Sequence, residues 1–119
     1  VEAFLAEWLA QPMFASLPAD AAQVAERAAT HTADSLAHQL VDLGQGAQEP
    51  RWDALADLDM PVMVLTGDAD TKYEAIGDAM FEAIPDCLRL TLPGGHALPL
   101  EAPDAVAHAL TTFVHDLAP

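Results

Sequence analysis

The chain has 119 residues, 52% of them hydrophobic, which suits one modest domain with an apolar core and argues against a disordered tail. Nineteen acidic residues against four basic ones (Arg27, Arg51, Lys72, Arg89) give a formal charge of -15, a field that repels nucleic-acid phosphates and anionic lipid, so neither is an expected partner. No apolar run reaches a membrane span, no basic-then-apolar leader marks secretion, and the single Cys87 precludes an internal disulfide, so a cytoplasmic location is expected.

The chain opens Val1-Glu2-Ala3 without an initiator methionine, which points to processing or, in preference, to a piece of something longer. Val1, Phe4, Leu5, Trp8 and Leu9 recur at one-face helical spacing, and Gln11-Pro12 ends that helix. Ala19 to Ala29 is alanine-rich and predicted helical, with Val24 as its one large apolar residue. Thr32 is placed to cap a third helix whose inner side carries Leu36, Ala37, Leu40 and Val41, with Gly44 at its end. A loop to Pro50 and a short helix over Arg51 to Leu58 come next. No segment repeats.

Pro61-Val-Met-Val-Leu-Thr66 is almost wholly apolar, as a parallel strand covered on both faces would be. It stops at Gly67-Asp68-Ala69-Asp70, and a crossover helix over Tyr73 to Ile84 then carries Tyr73, Ile76, Gly77, Met80 and Ile84 on its stripe, with Glu74, Asp78 and Glu82 largely off it. Leu88, Leu90 and Leu92 alternate with Arg89 and Thr91 in a second strand near a sheet edge, at whose start Cys87 reads as a small buried hydrophobe. Pro93-Gly94-Gly95-His96 is the next loop. The last helix starts at Pro103 and presents Val106, Leu110, Phe113, Val114 and Leu117.

In a right-handed β-α-β unit both strands run the same way, so the loops bearing Asp70 and His96 leave the same carboxyl edge of the sheet. A carboxylate that orients an imidazole and stabilises the imidazolium is the arrangement proton transfer needs. Asp70 is preferred over Asp68, which lies nearer the strand and suits the turn; the plain alternative is that Asp70 merely caps its turn and His96 is an ordinary loop residue. His108 with His115, and His31 with His38, lie two turns apart, too far for easy joint metal ligation. Gly44-x-Gly46 lacks the strand and third glycine of a dinucleotide loop, so neither a metal nor a cofactor is implied.

At these residues the sequence resembles the carboxyl-terminal half of an α/β-hydrolase: Pro61 to Asp70 looks like that superfamily's acid-bearing strand and turn, and Gly94-Gly-His-Ala-Leu-Pro-Leu-Glu-Ala-Pro103 like its histidine loop. Phe4 to Phe14, Glu26-Arg27, Gly44 to Gln48, Trp52 and Asp70-Thr-Lys-Tyr73 are, in that order, similar to the 2-succinyl-6-hydroxy-2,4-cyclohexadiene-1-carboxylate synthases of menaquinone biosynthesis. The resemblance implies that a serine, a histidine and an aspartate abstract a proton from an enolpyruvyl-bearing cyclohexene and pyruvate is eliminated. His96 would be the base and Asp70 its orienter. It further implies substrate contacts for Arg27, whose alternative is a solvated cation paired with Glu26 or Asp20, and for Trp8, whose alternative is a core role. Thr30 departs from the asparagine frequent in related sequences.

An α/β-hydrolase nucleophile sits in Gly-x-Ser-x-Gly, a context that neither Ser16 nor Ser35 has. The expectation is therefore an α/β fragment, inactive alone, with a helical cap segment over 1–58 and the β-α-β-α end of the core over 59–119. Its expected partners are a small anionic substrate, the amino-terminal half of the same protein and, through an exposed strand edge, a second copy. The alternatives are an ester or C–C bond hydrolase on the same fold and a non-catalytic interaction domain.

Overall fold

Helix α1 (Glu2–Leu9) forms where one-face spacing predicts it and buries Leu5, while the break at Pro12 gives a short 3-10 turn, Pro12–Phe14. The structure is a computed structural model and describes residues 1–117, so the last two residues of the 59–119 portion lie outside the described residues. The alanine-rich stretch is only partly helical. Helix α2 spans Val24–Thr30, because Gln23 takes a left-handed conformation, φ 52°, that no helix can run through. Helix α3 (Ala33–Asp42) starts with the reciprocal cap its sequence offers: Ser35 N donates to Thr32 Oγ1 at 3.1 Å and Thr32 N to Ser35 Oγ at 3.0 Å. Its predicted inner side is poorly covered. Leu36 is half-buried, but Ala37, Leu40 and Val41 are exposed.

Two further 3-10 turns, Gln45–Ala47 and Trp52–Asp57, lead to strand β1 (Val62–Gly67). It pairs in parallel with β2 (Cys87–Leu92), Val62 opposite Cys87 and Gly67 opposite Leu92, and helix α4 (Thr71–Ala83) connects them. With β2 as its one partner among the described residues, β1 keeps Val62 to Leu65 half-buried rather than covered on both faces. Cys87 is likewise half-buried, and burial still pushes its thiol up, away from the reactive thiolate.

The two faces of β2 invert the simple reading of its alternation. Arg89 and Thr91 lie toward α4, where Glu74, expected off the inner stripe, accepts from Thr66 Oγ1, from Arg89 Nη2 at 2.7 Å and from Thr91 Oγ1 at 3.0 Å. Arg89 Nη1 also donates to the Leu90 carbonyl, and its Nε lies 3.3 Å from Asp78 Oδ1 without the alignment of a hydrogen bond. The guanidinium is tolerated inside because α4 passes it at Gly77, where a Cβ would sit 2.9 Å from Arg89 Nε. Hydrogen bonds from Thr66 and Arg89 hold the Glu74 carboxyl below the usual carboxylate range. The leucine face turns the other way, onto a 540 Å³ groove shared with Ala109 and Phe113 of helix α6 (Pro103–Asp116). A short helix, α5 (Leu98–Glu101), precedes α6 and was not legible in the periodicity. On α6 the buried residue is Ala109, whereas Leu110 and Val114 of the predicted stripe, and Leu117 just past the helix, are exposed.

Candidate active site

Both loops leave the carboxyl ends of the strands and continue the ladder beyond them. Asp68 N donates to the Leu92 carbonyl at 3.0 Å and Ala69 N to the Gly94 carbonyl at 2.9 Å. Asp68 returns the contact, accepting from Gly94 N at 3.0 Å, so this carboxylate is spent on the apposition of the loops. Gly67 makes the approach possible, since a Cβ there would collide with the carbonyl oxygens of Gly94 and Gly95. Gly94 itself has φ +146°, a conformation side chains rarely adopt.

Asp70 is buried at this edge, as is Thr66 near the end of β1, and its carboxylate works in two directions. As N-cap of α4 its Oδ1 accepts from Tyr73 N at 3.3 Å, and its Oδ2 lies 2.7 Å from His96 Nδ1. The structure thus brings together the two residues that the β-α-β argument predicts should meet, and the cap role is real as well. The Asp70 side chain is 6% exposed and that of His96 27%, so the carboxylate is shielded while the imidazole keeps an open side. The ring is held from two elements: Tyr73 of α4 has its centroid 4.5 Å away, and Phe14 of the first 3-10 turn meets it edge-on at 5.7 Å.

His96 opens onto a cavity of about 560 Å³ between the helical segment and the loops. Trp8 lines it, stacked on Phe4 at 5.7 Å and tilted against Phe14 at 6.5 Å, so this residue both packs and faces the cavity. Arg27 lines it too, and among the described residues no carboxylate lies within ion-pair distance of its guanidinium; the pairing with Glu26 or Asp20 does not form. Lys72 is a second cation on the wall, its Nζ 5.4 Å from the centroid of the Tyr73 ring, and Tyr73 in turn donates to Gln45 Oε1 at 3.2 Å. The lining contains no Asp or Glu although the chain has 19. Sequence reasoning did not single out Lys72, Tyr73 or Phe14 for the site. For Lys72 a signal existed, since it is one of four cations and stands two residues after Asp70.

The parallel β-α-β unit with an aspartate after one strand and a histidine after the next defines a portion of an α/β-hydrolase fold. No protein-family model matches the chain. The structure of MenH from S. aureus superposes with a TM-score of 0.90 and 25% identity, over 98% of this chain and 46% of that one. In sequence, the chain is 26% identical to an assigned 2-succinyl-6-hydroxy-2,4-cyclohexadiene-1-carboxylate synthase of Bacillus subtilis, over 96% of this chain and 43% of the relative. It is 32% identical to the chloroplastic protein PHYLLO of Arabidopsis thaliana over 67% of this chain and 5% of that protein. The chain therefore spans less than half the length of each relative. No helix among the described residues is long and apolar enough to cross a membrane.

Proposed function

We propose that this chain supplies the histidine and the acid of an α/β-hydrolase-fold enzyme that eliminates pyruvate from a succinyl-bearing, enolpyruvyl-substituted hydroxycyclohexene carboxylate in menaquinone biosynthesis. The observation that carries the reading is the cavity beside His96, walled by two cations and no carboxylate in a chain of formal charge -15. Such a wall selects anions, and the product named for the Bacillus relative carries two carboxylates, one on its succinyl arm and one on its ring. In this reading Arg27 and Lys72 hold those groups, and Trp8 and Phe14 flank the ring between them.

Asp70 fixes the imidazole through Nδ1 and stabilises it when it gains a proton, leaving the other ring nitrogen for a nucleophilic serine. Neither serine of this chain fits that post. Ser35 is engaged in the cap of α3, and Ser16 stands on no strand-to-helix turn, so the proposed enzyme is a longer polypeptide that contains this chain. The test is release of pyruvate by that full-length enzyme. His96→Ala should lower turnover by roughly 10²- to 10⁴-fold while the thermal transition persists. Turnover near that of the wild type would refute the assignment.

A further inference from the structure

The two peptide amides that flank His96, those of Gly95 and Ala97, lie outside any regular element. Each finds its acceptor in one side chain. Gly95 N donates to Glu101 Oε2 at 2.8 Å, and Ala97 N donates to Glu101 Oε1 at 3.1 Å. Neither amide has another protein acceptor among the described residues. Glu101 is the last residue of α5 and is anchored from below: its own amide donates to the Ala97 carbonyl at 3.1 Å, and Leu98 of the same turn is buried. A rigid, planar carboxylate therefore grips the backbone on both sides of the histidine, by charge-assisted bonds.

We infer that Glu101 is a positioning residue for His96, holding the backbone of the histidine loop so that its imidazole reaches Asp70. Asp70 fixes one nitrogen of the ring and Tyr73 and Phe14 pack against it, but these contacts act on the side chain, and a loose backbone beneath it would let the whole residue drift from Asp70. Glu101 supplies the other anchor. It does not line the cavity, so it acts through His96 and not on a bound molecule. Each oxygen is used once. Glutamine, with one acceptor oxygen, keeps one grip and loses the other; alanine loses both.

The inference rests on the reading of Asp70 and His96 as a proton-transfer pair, and the measurements that decide it do not depend on turnover. In protein labelled with ¹⁵N-histidine, the far-downfield proton shared between His96 Nδ1 and Asp70 is compared in wild type, Glu101→Gln and Glu101→Ala. The expected result is a sharp signal in wild type, a broadened one in the glutamine variant and none in the alanine variant. Amide exchange in wild type should show Gly95 and Ala97 protected together. In the full-length enzyme, Glu101→Ala should lower kcat by about 10-fold or more with KM within about twofold, the pattern of lost alignment and not of lost binding. An unchanged downfield signal in folded Glu101→Ala would overturn the inference. If that variant does not fold, an unchanged signal in Glu101→Gln or unprotected amides in wild type would do the same. Failure of His96→Ala to impair turnover would instead remove the proton-transfer reading and leave the clamp itself standing.

Discussion

Gly67→Ala is the sharpest probe of the site's construction, because it adds one carbon whose nearest neighbours are backbone atoms of the histidine loop. The new Cβ would fall on the carbonyl oxygens of Gly94 and Gly95, well inside contact distance, and no flexible side chain is there to yield. Restoring an ordinary separation of about 3.5 Å requires the two loops to part by on the order of 1 Å. That displacement acts directly on the pair, since Asp70 and His96 ride on these loops and start 2.7 Å apart; an added ångström takes them beyond hydrogen-bond range. The expected cost is about 1–3 kcal/mol of stability, the usual penalty of overpacking, and roughly 10²-fold in turnover. Thermal melting of the chain and pyruvate release by the full-length enzyme measure the two effects separately. Gly46→Ala is the control, since nothing lies within 4 Å of a Cβ at that position. If Gly67→Ala melts and turns over like Gly46→Ala, the close approach of the loops does not set the geometry of the site.

Arg27→Ala should weaken binding of a dicarboxylate by about 1.5–3 kcal/mol, roughly 10- to 150-fold, whereas Trp52→Phe, at an exposed tryptophan outside the cavity, should change it little; equal small effects in titration calorimetry would return Arg27 to the solvent. The lowered carboxyl of Glu74 contributes stability that is complete above its unfolded value near 4.5 and is lost as pH falls through the lower folded value. Glu74→Gln should therefore flatten the fall of melting temperature on the acid side of pH 4.5, and an unaltered acid limb would show that the Thr66–Arg89–Thr91 cluster is not its source.

Legibility tracked the range of the interactions. The β-α-β unit could be read because its signals are local: an apolar run, a two-aspartate turn, a helical stripe and an alternating strand. The meeting of Asp70 and His96 came from strand direction alone. What stayed hidden depended on partners. Glu74 sits next to the inner stripe of α4, and only the presence of Arg89 on the facing strand shows why a carboxylate turns inward there. The stop at Gln23 is a backbone choice that an alanine-rich sequence does not announce. On α6 the small Ala109 is buried while the larger Leu110 and Val114 are exposed, and the helical stripe alone does not tell which of its residues faces the groove beside β2. In the site, Arg27 and Trp8 came from resemblance, whereas Lys72 and Phe14 needed the cavity itself to be seen.

The double duty of Asp70 separates two properties that substitutions usually destroy together. In Asp70→Asn the new side chain keeps an oxygen for the Tyr73 amide, so the start of α4 can remain capped. Its other terminus becomes an NH₂ that faces His96 Nδ1, and two donors cannot share that short line. The imidazole must then switch tautomer, turning Nδ1 into an acceptor and moving its proton to Nε2, the nitrogen that has to be bare to act as a base. The Asp70→Asn chain would thus fold, melt and bind much like the natural one while carrying its proton on the wrong side of the ring.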